Sequence, residues 1–202
     1  MSANTFVFDL AGVLLDWDPE PFYRDFFSTT PARYTAFFDR VLNDETQYAI
    51  SAGEPMGTVL AARCELFPDF ADAIDAWQTQ WKSMLIGEIG GTVAALGELR
   101  ERGHRTFALG NWSREEFDLI VDDFPFLQAF DGVLLSGDCG ILKPDAGIYT
   151  LAEERFSLEP ARTVFIDDRP DNVHAAISRG WNGIVFENPR NLYLTLMEYQ
   201  IL

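Results

Sequence analysis

Short runs of β-branched and aromatic residues recur along the chain, and longer segments with helical periodicity separate them. The runs lack strict alternation of apolar and polar positions, which is typical of strands buried on both faces. They predict strands at residues 6–8, 104–109, 132–135, 163–166 and 183–186. Because strands and helices alternate, the pattern predicts an α/β fold with a doubly wound, Rossmann-like parallel sheet.

Several helix boundaries are also visible in the sequence. Ser113 followed by Glu116 is a capping-box pattern. Gly103 and Gly180 stand where helices are expected to end. Pro144 is expected to be the first residue of a helix, since proline is favoured at that position.

Residues 18–86 differ from the rest, because they show helical periodicity and no convincing strand. An apolar stripe at helical spacing indicates a packed helix face, and it consists of Phe70, Ile74, Trp77, Trp81 and Leu85. We therefore expect two units. Residues 1–17 and 87–202 would form the α/β core, and residues 18–86 a small helical cap inserted after the first strand.

Composition narrows the possible partners. The chain has 202 residues and 48% hydrophobic content, which suit one domain with a sizeable core and a modest insertion. A net charge of −17 disfavours nucleic acid and anionic membrane surfaces as partners. A small anionic substrate needs only a local positive site, such as a metal ion. No Lys or Arg precedes Arg24 and no long apolar segment occurs, which argues against a signal peptide or a transmembrane helix. We therefore expect a cytoplasmic protein.

Candidate chemistry stands where the predicted strands end. In doubly wound folds the ligand site lies outside the carboxyl ends of the strands. Asp9 ends the first strand, although Asp is disfavoured within strands. Asn111 follows the second strand, Lys143 follows the loop after the third, and Asp167 and Asp168 follow the fourth.

The charged side chains at these positions need partners of opposite charge. Lys143, one of only two lysines, would lie at or next to a helix N-terminus, where a cation is unfavourable unless acids or an anion face it. The adjacent acids Asp167 and Asp168 repel each other, and Mg²⁺ with oxygen ligands would relieve that repulsion. Asp171 or Asn172 is expected to cap the helix that follows.

Four stretches, which follow one another along the chain, contain the candidate residues: FDLAGVLLDWDP, LGNWS, GDCGILKPDAGIY and TVFIDDRPDN. Together they resemble the four motifs of the haloacid-dehalogenase-like superfamily, and most closely its phosphatase-like subgroup with small sugar-phosphate substrates. The resemblance covers nearly the whole chain. It implies a Mg²⁺-dependent phosphatase with a helical cap, acting on a small phosphorylated metabolite.

The resemblance also implies a nucleophile and a metal site. Asp9 would attack phosphorus and form an aspartyl-phosphate, which splits one difficult step into two. Mg²⁺ would bind Asp9, the backbone carbonyl of Ala11 and Asp168, with Asp167 as a supporting or alternate ligand.

A phosphate site follows from the same resemblance. Lys143 would hold the phosphate and keep Asp9 and Asp168 from repelling each other. The amide of Asn111 and backbone N–H groups around Gly110 would bind phosphate oxygens.

Two positions depart from the family pattern. Ala11 replaces the usual general acid, which is worth ~10²–10⁴-fold in rate, and Gly110 replaces a hydroxyl residue. Asp16 or Asp18 is a candidate proton donor instead, and substrates with good leaving groups would suffer least. Two alternatives stay open: a metal-independent dehalogenase-type hydrolase in which Asp9 attacks carbon, and a catalytically impaired binding or regulatory domain.

Overall fold

A computed structural model of the chain describes residues 3–202, so residues 1 and 2 of the expected core lie outside the described part. The strands in chain order are β1 (Thr5–Phe8), β2 (Leu15–Trp17), β3 (Leu85–Glu88), β4 (Arg105–Gly110), β5 (Gly132–Leu135), β6 (Thr163–Asp167) and β7 (Asn182–Val185). Five of them form one parallel sheet in the order β5-β4-β1-β6-β7. The predicted α/β fold and all five of its predicted strands are therefore confirmed.

The central strand explains why the apolar runs do not alternate with polar residues. Every residue of β1 is buried, because β4 and β6 flank it and helices cover both faces of the sheet. Phe6 and Phe8 belong to one hydrophobic core, whereas Val7 belongs to the other. Successive side chains thus enter opposite layers, as the pleat of a strand requires.

The helices form two groups. Between β2 and β3 lie α1 (Glu20–Phe26), α2 (Pro31–Ala36), α3 (Asp44–Ser51), α4 (Met56–Leu66) and α5 (Ala71–Gln80). The strands of the large sheet alternate with α6 (Gly90–Glu101), α7 (Arg114–Asp118), α8 (Pro125–Gln128), α9 (Ala146–Phe156), α10 (Pro170–Ser178) and α11 (Pro189–Glu198). None of the helices among residues 3–202 combines the length and apolar character needed to cross a bilayer.

Each face of the sheet has its own helical layer. Buried residues of α9 and α10 pack in one core with Phe107 and Phe165 of the sheet. Buried residues of α6 and α11 pack in the other core, which also contains the buried aromatic residues of α1 and α5. The helices between β2 and β3 therefore share a continuous apolar core with one face of the sheet.

The prediction that residues 18–86 contain no strand was wrong at the C-terminal end of this range, where β3 begins. The helical stripe stops early, because α5 ends at Gln80 and a 3₁₀ turn leads to β3, which begins at Leu85. Leu85 pairs with Trp17 of β2 in a separate antiparallel sheet. Two short strands so far apart in sequence carry little local β signal, and their pairing is a tertiary effect.

Two helix starts also differ from the sequence-based expectation. Helix α9 begins at Ala146 rather than Pro144, since the Asp145 side chain caps it by accepting a hydrogen bond from Gly147 N. Asp171 and Asn172 lie within the first turn of α10 and do not cap it. The capping box of Ser113 and Glu116 at the start of α7 is confirmed.

Glycine at position 183 allows α10 to pack closely on β7. A Cβ atom there would overlap Val173 Cγ1 and lie 2.9 Å from Ile177 Cδ1. We predict that Gly183→Ala lowers the free energy of unfolding by about 1–3 kcal/mol, measured by urea denaturation.

Gly97 of α6 provides the matched control, because a Cβ atom there would meet nothing within 4 Å. Gly97→Ala should leave stability unchanged or raise it by up to ~1 kcal/mol, since alanine is the better helix former. Equal losses in the two variants would contradict this account of the packing.

Candidate active site

A buried lysine joins two carboxylates at the carboxyl edge of the large sheet. Lys143 Nζ lies 2.8 Å from Asp9 Oδ1 and 2.7 Å from Asp167 Oδ2. Asp9 directly follows β1 and Asp167 ends β6. Because these strands are parallel neighbours, their carboxyl ends place the two acids side by side.

Lys143 comes from the loop that precedes α9, and Asn111 fixes that loop. Asn111 Nδ2 donates to the Lys143 carbonyl over 2.9 Å, and Lys143 N donates to Asn111 Oδ1 over 2.8 Å. The amide predicted to contact substrate therefore also positions the lysine. One hydrogen of its NH₂ group remains for another acceptor.

Asp167 is fully buried, and both of its carboxylate oxygens accept hydrogen bonds. Oδ2 accepts from Lys143 Nζ and Asn172 Nδ2, while Oδ1 accepts from Asn172 Nδ2 and Arg169 N. These bonds hold Asp167 beneath the site. Asp168 lies on the solvent side, and its side chain is exposed.

Burial and neighbouring charges shift the pKa values of Asp9, Lys143 and Asp168. Burial raises the pKa of the Asp9 carboxyl, an effect that Lys143 opposes and Asp167 reinforces. Burial alone would lower the pKa of Lys143, but Asp9 and Asp167 raise it above its ordinary value. Burial and Asp167 raise the pKa of Asp168. Lys143 is thus held as a cation between the acids.

A cavity of about 270 Å³ opens over Asp9. Six of the seven predicted site residues line it: Asp9, Ala11, Gly110, Asn111, Lys143 and Asp168. Asp167 does not, since it lies below. The expected proton donors do not line it either: Asp18 accepts a hydrogen bond from Glu20 N at the start of α1, and Asp16 is an exposed residue of β2.

Sequence reasoning missed two polar residues of this site. Arg169 and Asn172 line the cavity, and Asn172 also holds Asp167. Both follow Asp168 within four residues, which is the signal that the sequence offers, but the sequence pattern indicated helix capping by Asp171 or Asn172 instead.

The packing around position 110 explains why the residue there is glycine. A Cβ atom at this last residue of β4 would lie 3.0 Å from Leu10 Cδ1 and 3.4 Å from Leu135 Cδ2. The packing of Leu10 therefore leaves little space for the hydroxyl side chain that the family pattern expects at this position.

The acids fit a divalent cation with oxygen ligands. Carboxylate oxygens of Asp9, Asp167 and Asp168 all lie within 4.8 Å of one another. Gly12 has a φ of +78°, and a Cβ atom there would lie 2.6 Å from Asp168 Oδ2. Glycine thus leaves the room that this carboxylate occupies. Within residues 3–202, no N–H or O–H group donates to the Ala11 carbonyl, so this oxygen is also available.

Comparison with known proteins gives a consistent family. A model of haloacid dehalogenase-like hydrolases matches residues 3–180. Flavin mononucleotide hydrolase 1 of Arabidopsis thaliana is 33% identical over 85 residues, which are 42% of this chain and 35% of that protein. The chain matches between 9% and 45% of the length of its first curated relatives.

Two of the solved structures that match do so over nearly the full length of both chains. An HAD-like family hydrolase from Porphyromonas gingivalis gives a TM-score of 0.78 at 21% identity, covering 99% of this chain and 98% of that one. An HAD family enzyme from Bacteroides thetaiotaomicron, in complex with magnesium and inorganic phosphate, gives a TM-score of 0.70 at 20% identity. That match covers 92% of this chain and 95% of the other.

The two lysines of the chain allow a matched test of the buried ion pairs. Lys143→Met leaves Asp9 and Asp167 without their shared counter-charge, so we predict a loss of about 3–5 kcal/mol in unfolding free energy. Lys82 pairs with Asp123 at the surface, and Lys82→Met should cost at most about 1 kcal/mol. Denaturant unfolding at neutral pH measures both, and similar small losses would contradict the buried arrangement.

Proposed function

Since the chain belongs to the haloacid dehalogenase-like family and is a hydrolase, we propose that it is a Mg²⁺-dependent phosphatase for a small phosphorylated metabolite. The observation that carries this proposal is a set of three neighbouring carboxylates, two of which pair with one buried lysine. The structural relative in complex with magnesium and phosphate supports it. We propose that residues 18–86 act as the cap of this enzyme.

Asp9 is the proposed nucleophile. Its Oδ1 accepts hydrogen bonds from Lys143 Nζ and Leu10 N, which fix the orientation of the carboxylate. One oxygen of this carboxylate attacks phosphorus, and the bond from phosphorus to the leaving oxygen breaks. Water then hydrolyses the aspartyl-phosphate and releases inorganic phosphate.

Asp9, the Ala11 carbonyl and Asp168 are the proposed metal ligands. Asp167 is the weaker candidate, because Lys143, Arg169 N and Asn172 already occupy its two oxygens. The bound Mg²⁺ would supply positive charge that stabilises the transferring phosphoryl group.

Lys143, Asn111 and the backbone at Gly110 are the proposed phosphate contacts. An ammonium group has three hydrogens, and Lys143 directs two of them to Asp9 and Asp167. In this proposal the third hydrogen contacts a phosphate oxygen. The free amide hydrogen of Asn111 supplies a second donor in the same cavity.

We predict that the protein releases phosphate from p-nitrophenyl phosphate with Mg²⁺ and that excess EDTA abolishes the activity. Asp9→Asn removes the nucleophile and should lower kcat/KM by at least about 10³-fold. Asp16→Asn is the matched control, since this exposed carboxylate lies outside the cavity, and it should keep full activity. Activity that survives EDTA or the Asp9→Asn substitution would refute the proposal.

Because Ala11 stands where the family pattern has a general acid, a separate prediction follows for this position. Ala11→Asp places a carboxyl group in the cavity where the leaving oxygen must be protonated. We predict a rise of about 10–10²-fold in kcat for an alkyl phosphate and little change for p-nitrophenyl phosphate, whose leaving group needs no proton. An unchanged or reduced rate on the alkyl phosphate would show that position 11 does not serve protonation in this site.

A further inference from the structure

Two tryptophans line the cavity over Asp9, and the proposed mechanism uses neither of them. Trp17 ends β2, and Trp112 lies two residues after the end of β4. Both lie outside residues 18–86, in the segments expected to form the α/β core. We call Trp17 and Trp112 the tryptophan pair.

Ring contacts fix the tryptophan pair. The Trp17 ring stacks on that of Trp81, with centroids 5.6 Å apart and an interplanar angle of 30°. Trp112 meets the same Trp81 ring edge-on at 5.7 Å, and Trp77 meets Trp17 edge-on at 5.7 Å. Trp77 and Trp81 are themselves buried. Because the pair is held in place before a ligand binds, its side chains lose little conformational entropy on binding.

Backbone contacts also position Trp112. Its carbonyl accepts hydrogen bonds from Gly137 N over 3.1 Å and from Ser136 Oγ over 3.4 Å. The next residue, Ser113, caps α7 with its side chain. Trp112 is thus held against the segment after β5 as well as by the end of β4.

Trp17 presents carbon atoms to the cavity. Within residues 3–202, its Nε1 is buried and has no hydrogen-bond partner, although the residue as a whole is only half-buried. Nε1 is the one polar atom of the side chain, so each exposed side-chain atom of Trp17 is carbon. Ala11, which also lines the cavity, carries only a methyl group. The cavity therefore has an apolar part beside its charged part.

The apolar part favours an aromatic leaving group. Asp9, Lys143 and Asp168 are the proposed nucleophile, phosphate contact and metal ligand, so the charged part serves the phosphoryl group. A hydroxyl group placed against the carbon atoms of Trp17 would lose its bonds to water without replacement, which is costly. A planar aromatic ring would instead bury apolar area and pack on an indole ring by offset or edge contact.

The size of the cavity limits the leaving group to a small one. Its volume of about 270 Å³ lies below the range of roughly 300–1,000 Å³ that is typical of sites for drug-sized ligands. A phosphoryl group that carries a single ring is therefore the kind of ligand that suits this space.

The acids of the cavity point to the same class of leaving group. Within residues 3–202, the only carboxyl groups among the lining residues are those of Asp9 and Asp168, which the proposed mechanism uses as nucleophile and metal ligand. A leaving oxygen in this cavity thus has no separate general acid. An aryl oxide spreads its charge into the ring, so it leaves without a proton more readily than an alkoxide does.

We propose that Trp17 and Trp112 bind the leaving group and select aryl phosphates, which are monoesters of a single planar aromatic ring. The inference rests on the proposed phosphatase function and names its substrate class. As the bond from Asp9 to phosphorus forms, the bond from phosphorus to the aryl oxygen breaks. The aryl oxide leaves with the electron pair of that bond and takes its proton from solvent.

The test compares the binding of phenylphosphonate and methylphosphonate in the presence of Mg²⁺, measured by isothermal titration calorimetry. Both ligands carry phosphorus bonded to carbon, so the reactivity of a leaving group does not enter the measurement. We expect the wild type to bind phenylphosphonate about tenfold more tightly. Trp17→Leu and Trp112→Leu should each lower this preference about threefold, whereas Trp17→Phe, which keeps a ring, should retain it.

Phe38→Leu is the matched control, because Phe38 is a half-buried aromatic residue that contacts Tyr23 and lies outside the cavity. Its preference should equal that of the wild type. An equal loss in Phe38→Leu and in the tryptophan variants would trace the effect to a loosened aromatic core and overturn the proposal. A preference that persists in both Trp17→Leu and Trp112→Leu would overturn it as well.

The wild type alone separates this proposal from the phosphatase function. Equal affinity for the two phosphonates would overturn the aryl assignment, even where a leucine variant fails to fold. Phosphate release from p-nitrophenyl phosphate without binding of phenylphosphonate would also overturn the aryl assignment alone. Failure to bind either phosphonate, together with failure to release phosphate from p-nitrophenyl phosphate, would refute the phosphatase function and the role of the tryptophan pair with it.

Discussion

Two ionised carboxylates at the ends of neighbouring parallel strands repel each other unless a positive charge lies between them. Lys143 provides that charge, with its Nζ at 2.8 Å from Asp9 and 2.7 Å from Asp167. Removing one partner of such a buried group leaves an uncompensated charge, which is strongly destabilising. This contact depends on the pairing of β1 with β6, which places Asp9 beside Asp167, and on the loop before α9, which supplies Lys143. The same contact orients the carboxylate that we propose as the nucleophile.

The site extends from this ion pair toward solvent. There Asp168 joins Asp9 and Asp167 in a set of carboxylates whose oxygen atoms lie within 4.8 Å of one another, and Gly12 leaves the space for Asp168. Mg²⁺ prefers oxygen ligands of this kind, so the residues present fit the metal of the proposed phosphatase. Asp168 also lines the cavity over Asp9, together with Lys143 and Asn111.

Much of this arrangement was predictable because it depends on local pattern and strand polarity. The apolar runs located the five strands, and Asp9, Lys143 and Asp168 followed from their positions after strands and loops. The pairing of Leu85 with Trp17 was not predictable, since it joins distant short segments. The double role of Asn111 depends on a hydrogen-bond geometry that only the folded loop reveals.

The most direct test of the account is a crystal structure of the protein with Mg²⁺ and beryllium fluoride, a mimic of a phosphoryl group on a carboxylate. We predict an adduct on an Asp9 oxygen, with Lys143 in contact with fluoride and the metal bound by Asp9, Asp168 and the Ala11 carbonyl. The central claim would be contradicted by an adduct on another residue, or by a metal bound to Asp167 with Lys143 displaced from the acids.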